Sequence, residues 1–171
     1  ADLWDEEEGF YYDQLHLPDG RRLPVRLRSI TGLIPLFAVE TVPAELAALG
    51  RPLVNRWKWF IDRRPEMEKR ADRWRQANAA GVHLFSLLPR HRLERILAAL
   101  LDENEFLGPF GIRSLSLRHR EQPYEMRLDG RSYHADFAPG ESTSALFGGN
   151  SNWRGPVWMP VNYLIVESLR K

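Results

Sequence analysis

The sequence predicts a mainly α-helical protein, in which helix pairs form a toroid that carries two short β-hairpins and long functional loops. Apolar residues recur at helical spacing in several segments, and two Asp-Gly pairs separate runs with β-forming character. Long segments rich in Gly, Pro, Ser and Asn join these elements. A simple helix bundle would have shorter connections, and the pattern therefore favours the toroid.

Five segments show helical patterns. One is expected to begin within residues 33–39, and the others cover 44–50, 53–61, 91–101 and about 160 to the end. The second lies between a proline and a glycine, which are typical start and stop signals. The third has apolar side chains at i, i+4, i+7 and i+8, and the fourth follows a proline.

The hairpins and the long loops lie between these helices. Residues 10–28 contain two β-capable runs around an Asp-Gly pair, and residues 124–136 repeat this device. Residues 106–114 and 139–156 are rich in turn-forming residues and are expected to be loops. Loops of this length in a compact domain usually carry function.

Composition excludes several functional classes. The chain has 171 residues, 24 Lys+Arg against 23 Asp+Glu, and a formal net charge of +1, which predicts no nucleic-acid partner. It has no Cys, and its five His form no metal-binding pattern, so that no metal is expected. No nucleotide-binding glycine motif occurs, and no cofactor is expected. Without a membrane-length apolar run or a visible signal peptide, the prediction is a cytoplasmic protein with no membrane partner.

The first candidate site is the segment LWDEEEGFYYD at residues 3–13. Flat aromatic rings can stack on the apolar face of a sugar, and carboxylates can accept hydrogen bonds from its hydroxyls. The alternative is a solvated acidic turn between buried aromatic residues. That alternative is preferred for residues 6–8, because three adjacent acids cannot all point inward. For Trp4 and Asp5 the two interpretations stay open.

The second candidate site is the segment GGNSNWRGPVWMPVNY at residues 148–163. Its glycines allow the backbone to approach a ligand closely. Trp153 and Trp158 offer ring faces, while Arg154 and Asn162 offer paired hydrogen bonds. The alternative is a glycine-rich entry to a helix with buried Trp. It is disfavoured because several polar groups converge beside two Trp in one loop.

Several segments, in this order along the chain, resemble glycoside hydrolase family 63, in its bacterial branch labelled glucosidase or mannosyl-oligosaccharide-glucosidase-like. The resemblance spans nearly the whole chain, and its most specific part is GNSNWRGPVW with the Asn-Tyr pair that follows. The matching segments are residues 3–13, 28–37, 110–116, 139–143, 149–158 and 162–163.

The resemblance implies an inverting α-glycosidase with an (α/α)6 toroid, acting on an oligosaccharide or small glycoside. In the family, an Asp acid lies in a Glu-Ser-Gly-x-Asp motif and a Glu base lies in a Glu-Asn-aromatic motif. Neither motif occurs in this chain. A toroid also needs roughly twice this length. Residues 1–171 are therefore expected to be a fragment of one catalytic domain, truncated at both ends, whose partners include the remaining helices.

On this interpretation the chain supplies loops that contact substrate but no catalytic carboxylate, and it is expected to be inactive alone. The alternative is a non-catalytic helical module that binds carbohydrate or protein through its Trp-rich loops. The residues expected to line the sugar site are Trp4, Asp5, Trp153, Arg154, Trp158 and Asn162.

Overall fold

A computed structural model describes residues 3–43, 45, 50–64, 78–86, 88–139 and 156–171. The chain divides into two compact units. The first unit comprises Ala1–Ile34 with His91–Tyr163, and the second comprises Pro35–Arg90 with Leu164–Lys171. None of the described helices combines the length and the apolar character that a membrane crossing requires.

The described residues form ten short strands and three α-helices, together with 3-10 helices at Ile30–Phe37 and Leu117–Arg120. The helices are α1 (Arg51–Asp62), α2 (Arg90–Leu101) and α3 (Met159–Leu169). The strands are β1 (Trp4–Asp5), β2 (Phe10–Tyr11), β3 (Asp13–His16), β4 (Arg22–Val25), β5 (Val39–Pro43), β6 (Val82–Ser86), β7 (Leu107–Gly108), β8 (Gly111–Ile112), β9 (Tyr124–Leu128) and β10 (Arg131–Ala135).

The expectation of a mainly α-helical toroid is wrong for the described part of the chain. The strands pair into five two-stranded antiparallel sheets, which interrupt the helices. The predicted helix start at 33–39 is a 3-10 helix that contains Pro35, and the chain turns directly into β5 from Val39. Proline removes a backbone donor, and β-branched residues favour strands, so the local chemistry ends the helix there.

Two further strand pairings separate the structure from the prediction. In the second unit, β5 pairs with β6, with Val39 opposite Ser86 and Pro43 opposite Val82. In the first unit, residues 106–114 contain the hairpin of β7 and β8 where a loop was expected. Neither pairing has a period-2 pattern long enough to show in the sequence.

Three of the predicted helices and both predicted hairpins are confirmed. The helices α1, α2 and α3 lie where the apolar spacing indicates them, while the segment 44–50 lies largely outside the described residues. The pair β3–β4 forms the first hairpin, and β9–β10 forms the second. In the second hairpin, Asp129 (φ 49°) and Gly130 (φ 77°) both have the positive φ of a type I′ turn.

The core of the first unit joins its N-terminal turn to the segment after α2. Phe10 and Phe106 are fully buried, and their rings stack with 5.6 Å between centroids and 10° between planes. Ile96 and Leu100, one turn apart on α2, are also fully buried. This apolar contact fixes the acidic segment at residues 3–13 against the rest of the unit.

Replacing Phe10 by Ala is expected to destabilise the chain by about 3–5 kcal/mol, because it removes a fully buried ring and leaves a cavity beside Phe106. Urea unfolding measures this free energy. The matched control is Phe110→Ala, which removes the same atoms from a side chain that is 85% exposed and should change stability by less than about 0.5 kcal/mol. Equal losses in the two variants would contradict the assignment of this core.

Candidate functional site

The acidic segment folds as a tight turn that Asp5 organises. The Oδ1 atom of Asp5 accepts hydrogen bonds from the backbone N–H groups of Glu7 (3.1 Å) and Glu8 (2.9 Å). Its Oδ2 atom lies 2.9 Å from Nη2 of Arg26. The backbone hydrogen bond from Glu8 is the largest cause that lowers the pKa of Asp5, and Arg26 lowers it further. Asp5 is therefore a charged acceptor that shapes the turn.

Trp4 lies buried beside this turn, in contact with two arginines of α2. Its ring centroid is 4.9 Å from the guanidinium carbon of Arg92 and 5.9 Å from that of Arg95, and Tyr11 meets it edge-on at 4.8 Å. The polar N–H of the Trp4 indole, and after it Arg92, lower the pKa of Glu6. The Trp4 ring thus packs against protein groups, and its role as a sugar platform stays a prediction.

Arg28 is the charged centre of the site, although it is only 5% exposed. Its Nε atom donates to Oε2 of Glu105 (2.8 Å), and Nη1 lies 3.5 Å from Oε2 of Glu8 and 3.4 Å from the Tyr12 hydroxyl. The guanidinium also lies over the ring of Phe10, 4.4 Å from its centroid. Burial opposes the charge of Arg28, but Glu105 and Tyr12 outweigh it and raise the pKa.

Glu8 turns inward to meet this guanidinium. Burial raises the pKa of Tyr12 to about 12, and the protonated hydroxyl donates to Oε2 of Glu8 at 3.0 Å. Arg118 lies 3.0 Å from the same oxygen. Burial opposes ionisation of Glu8, but Tyr12, Arg118 and Arg28 together lower its pKa. Residues 6 and 7 are exposed as expected for a solvated acidic turn, whereas the Glu8 side chain is only 24% exposed.

His119 supports the backbone beneath this network. Its Nε2 atom accepts a hydrogen bond from the backbone N–H of Arg28 (3.0 Å), and Nδ1 lies 3.0 Å from the carbonyl oxygen of Gln122. These partners require the neutral tautomer with its proton on Nδ1. Burial is the largest cause that lowers the pKa of His119, and the charge of Arg118 lowers it further.

A polar cavity of about 210 Å³ opens beside these groups, with Glu8, Tyr12, Arg28 and Arg118 in its wall. No three His, Asp or Glu side chains converge as possible metal ligands anywhere in the part of the chain that the structure describes. The cavity offers carboxylates, guanidinium donors and the phenols of Tyr12 and Tyr124 for hydrogen bonding.

Asn162 joins the first turn of α3 to strand β8. Its Oδ1 atom accepts from the backbone N–H of Ile112 (2.6 Å), and its Nδ2 atom donates to the carbonyl oxygens of Ile112 and Trp158 (both 3.0 Å). Gly111 has a φ of 133°, and a Cβ there would lie 2.9 Å from Asn162 Oδ1. This close approach requires glycine. The amide of Asn162 is thus engaged with backbone groups.

The structure brings the predicted residues together in two pairs. Trp4 and Asp5 lie in the acidic turn, and Trp158 and Asn162 lie at the start of α3. The other two predicted residues, at positions 153 and 154, lie outside the described residues.

Sequence reasoning missed the roles of Glu8, Arg28, Glu105 and His119. The segment that begins at Arg28 carries part of the family resemblance, which is the only signal that draws attention to it. Its partner Glu105 lies 77 positions away, so no local pattern could show that the charge is buried and paired.

Comparison with known families places the sequence among the glycoside hydrolases. The chain belongs to the family described as the mannosylglycerate hydrolase MGH1-like glycoside hydrolase domain, whose model matches residues 55–171. Together with the relatives below, this match confirms the resemblance to glycoside hydrolase family 63 and to part of its catalytic domain.

Three relatives show how much of a longer protein this chain covers. An uncharacterized protein of Saccharomyces cerevisiae is 44% identical over 170 residues, which is 99% of this chain and 16% of that protein. A probable mannosyl-oligosaccharide glucosidase of Schizosaccharomyces pombe is 35% identical over 89 residues. A mannosyl-oligosaccharide glucosidase of Saccharomyces cerevisiae is 28% identical over 89 residues. Each of these two matches covers 50% of this chain and 8% of the relative.

The neutral, buried state of His119 predicts a pH-dependent stability. Its folded pKa is lowered, so below its ordinary value of about 6.5 the unfolded chain binds a proton that the folded chain does not. The contribution of neutral His119 to the free energy of unfolding is therefore complete above about pH 6.5. It is lost as the pH falls toward the lowered pKa, by at most about 1.4 kcal/mol per pH unit.

Urea unfolding at about pH 7.5 and about pH 5.5 measures this effect. His119→Gln should reduce the difference in unfolding free energy between the two pH values. The control His134→Gln alters an exposed histidine and should retain the difference seen in the unsubstituted chain. An unchanged pH dependence in His119→Gln would contradict the assignment.

Replacing Asn162 by Ala is expected to cost about 1–3 kcal/mol, because it leaves the N–H and carbonyl of Ile112 without their side-chain partner. The control Asn104→Ala alters an exposed amide and should change stability by less than about 0.5 kcal/mol. Thermal and urea unfolding measure both. Full stability in Asn162→Ala would contradict this bracing role and would favour the sugar contact predicted from sequence.

Proposed function

We propose that this chain is part of an inverting α-glycosidase that hydrolyses glucosidic or related linkages in oligosaccharides, and that it supplies substrate-contacting loops. The observation that carries the proposal is the glycoside hydrolase family match over residues 55–171. The substrate class is taken from two relatives whose names describe mannosyl-oligosaccharide glucosidases. The family description adds mannosylglycerate as a second substrate type.

The state of Asp5 and Glu8 supports a catalytic acid other than these two carboxylates. An inverting glycosidase needs one protonated acid and one ionised base, with roughly 6.5–9.5 Å between them for the attacking water. The acid requires a raised pKa. Asp5 and Glu8 have lowered pKa values and are held by guanidinium and backbone donors, which is the opposite of an acid's environment. We therefore assign Asp5 and Glu8 a structural role in the acidic turn, not a role in catalysis.

The sugar contacts are proposed to come from the segment around Trp153 and Arg154, with Trp158 and Asn162 at its end. A planar guanidinium can hold two oxygens of a sugar or a carboxylate, which an ammonium cannot reproduce. Asn162 anchors the end of this segment through Ile112. Trp4 and Asp5 belong to the acidic turn, whose proposed place is the opposite wall of the sugar site.

The first experiment compares the 171-residue chain with the complete enzyme on α-glucosides and α-mannosides. The complete enzyme should release the sugar with inverted anomeric configuration, as followed by NMR, and the chain alone should show no enzymatic turnover. Loss of an acid–base partner typically removes roughly 10²–10⁴-fold in rate. Robust turnover by the chain would place the acid and base within it, and a stable complete protein without turnover would favour a non-catalytic binding module.

The second experiment tests the sugar contacts in the complete enzyme. Arg154→Lys and Trp153→Ala should each lower kcat/KM at least tenfold, or about 1.4 kcal/mol of transition-state stabilisation, with an unchanged Tm. Arg131→Lys, on the exposed strand β10, is the matched control and should retain full activity. Activity that falls only in step with Tm would assign both residues to the fold.

A further inference from the structure

A second hollow lies at the tip of the β7–β8 hairpin in the first unit. Phe110, at this tip, is 85% exposed, which is the largest exposure given for any large apolar side chain in the described residues. The hollow has a volume of about 260 Å³, and Pro109, Phe110, Phe137 and Val157 line it together with two arginines. An exposed ring that continues into a mostly apolar hollow forms a candidate contact surface for a ligand.

The exposed ring stands on a braced hairpin. Asn162 holds both backbone groups of Ile112, and Gly111 packs against it where a Cβ would not fit. On the other side, Nη1 of Arg113 donates to the carbonyl oxygens of Glu103 (2.9 Å), Glu105 (3.2 Å) and Leu107 (2.7 Å). The fold therefore presents the aromatic tip in a fixed place, and a preorganised ring loses little entropy on binding.

The arginines give the hollow hydrogen-bond donors without a matching acid. The guanidinium carbon of Arg120 lies 5.2 Å from the ring centroid of Phe137, and that of Arg113 lies 6.0 Å from it. No Asp or Glu is among the residues that line this hollow in the described chain. Arg120 makes no side-chain hydrogen bond or ion pair with any residue that the structure describes. Its donors are thus available to a ligand.

Aromatic faces beside guanidinium donors match the two surfaces of a sugar, which has an apolar C–H face and a rim of hydroxyls. The volume is below the roughly 300–1,000 Å³ of sites for drug-sized ligands, and it suits a single ring. A protein partner would need a much larger surface, of about 800 Å² on each side. The hollow thus favours a carbohydrate unit.

Two residues that line the hollow adjoin the proposed sugar-contacting segment in the sequence. Pro139 and Pro156, which flank residues 140–155, both line it. Asn162 links it to Trp158 through the Trp158 carbonyl oxygen. We propose that this hollow is a further carbohydrate subsite, resting on the proposed glycosidase function, in which Phe110 stacks on an outer sugar ring and Arg120 donates to its hydroxyls.

Substrate length provides the test in the complete enzyme. The probes are maltose, maltotriose and maltotetraose, with the matching α-linked manno-oligosaccharides. The measured quantity is the ratio of kcat/KM for the trisaccharide to kcat/KM for the disaccharide. Phe110→Ala should lower this ratio by tenfold or more. Its Tm should be unchanged, because the Phe110 side chain is exposed. The control Tyr133→Ala removes another exposed aromatic ring, on β10, and should leave this ratio unchanged.

A second variant tests the polar half of the subsite. Arg120→Gln should lower the same ratio, and the exposed control Arg131→Gln should not. If the enzyme hydrolyses α-glycosides but the ratio stays unchanged in both Phe110→Ala and Arg120→Gln, the subsite is overturned and the glycosidase function stands. If the loss is equal for all lengths, Phe110 serves no outer sugar and the subsite is likewise overturned. If only mannosylglycerate is hydrolysed, the subsite is overturned and the glycosidase function stands. If neither mannosylglycerate nor any of the probes is hydrolysed, the proposed function fails, and the subsite that rests on it fails with it.

Discussion

The packing of the first unit depends on one buried guanidinium. Taking the charge of Arg28 out of water costs several kcal/mol unless anions and hydrogen-bonding groups surround it. Glu105 supplies one such contact from 77 positions away, and Glu8 and Tyr12 supply others from the N-terminal turn. Phe10 covers the charge with its ring face, 4.4 Å away. All these groups must meet at one point. This requirement imposes one arrangement on the acidic turn, on the strand that follows it and on the segment after α2.

This constraint also decides what the acids of the site can do. Asp5 and Glu8 accept hydrogen bonds from guanidinium or backbone donors. These contacts stabilise both carboxylates as anions and lower their pKa values. A glycosidase acid needs the reverse, an environment that favours the protonated form. The network therefore holds these carboxylates as fixed anions in a rigid wall, where they do not suit the role of a protonated acid. Such a wall can donate and accept hydrogen bonds without taking part in proton transfer.

A side-chain amide performs a similar structural task at the other end of the unit. The Asn162 amide satisfies both backbone groups of Ile112, as a neighbouring strand would, and thereby ends the small β7–β8 sheet against α3. This contact also braces the hairpin whose tip carries the exposed Phe110. A residue predicted from sequence to touch substrate thus holds backbone groups in the structure, and its sugar contact stays a prediction.

Spacing and turn residues within a few positions suffice to predict the helices α1, α2 and α3 and the two Asp-Gly hairpins, and the resemblance of several short motifs suffices to predict the family. Only the tertiary structure decided that β5 pairs with β6, that Glu8 turns inward while its neighbours stay in water, and that Asn162 binds backbone. The mainly helical expectation was wrong for the same reason: short strands carry little pattern of their own. The β5–β6 pairing, like the burial of Arg28, depends on partners far away along the chain, which no local window contains.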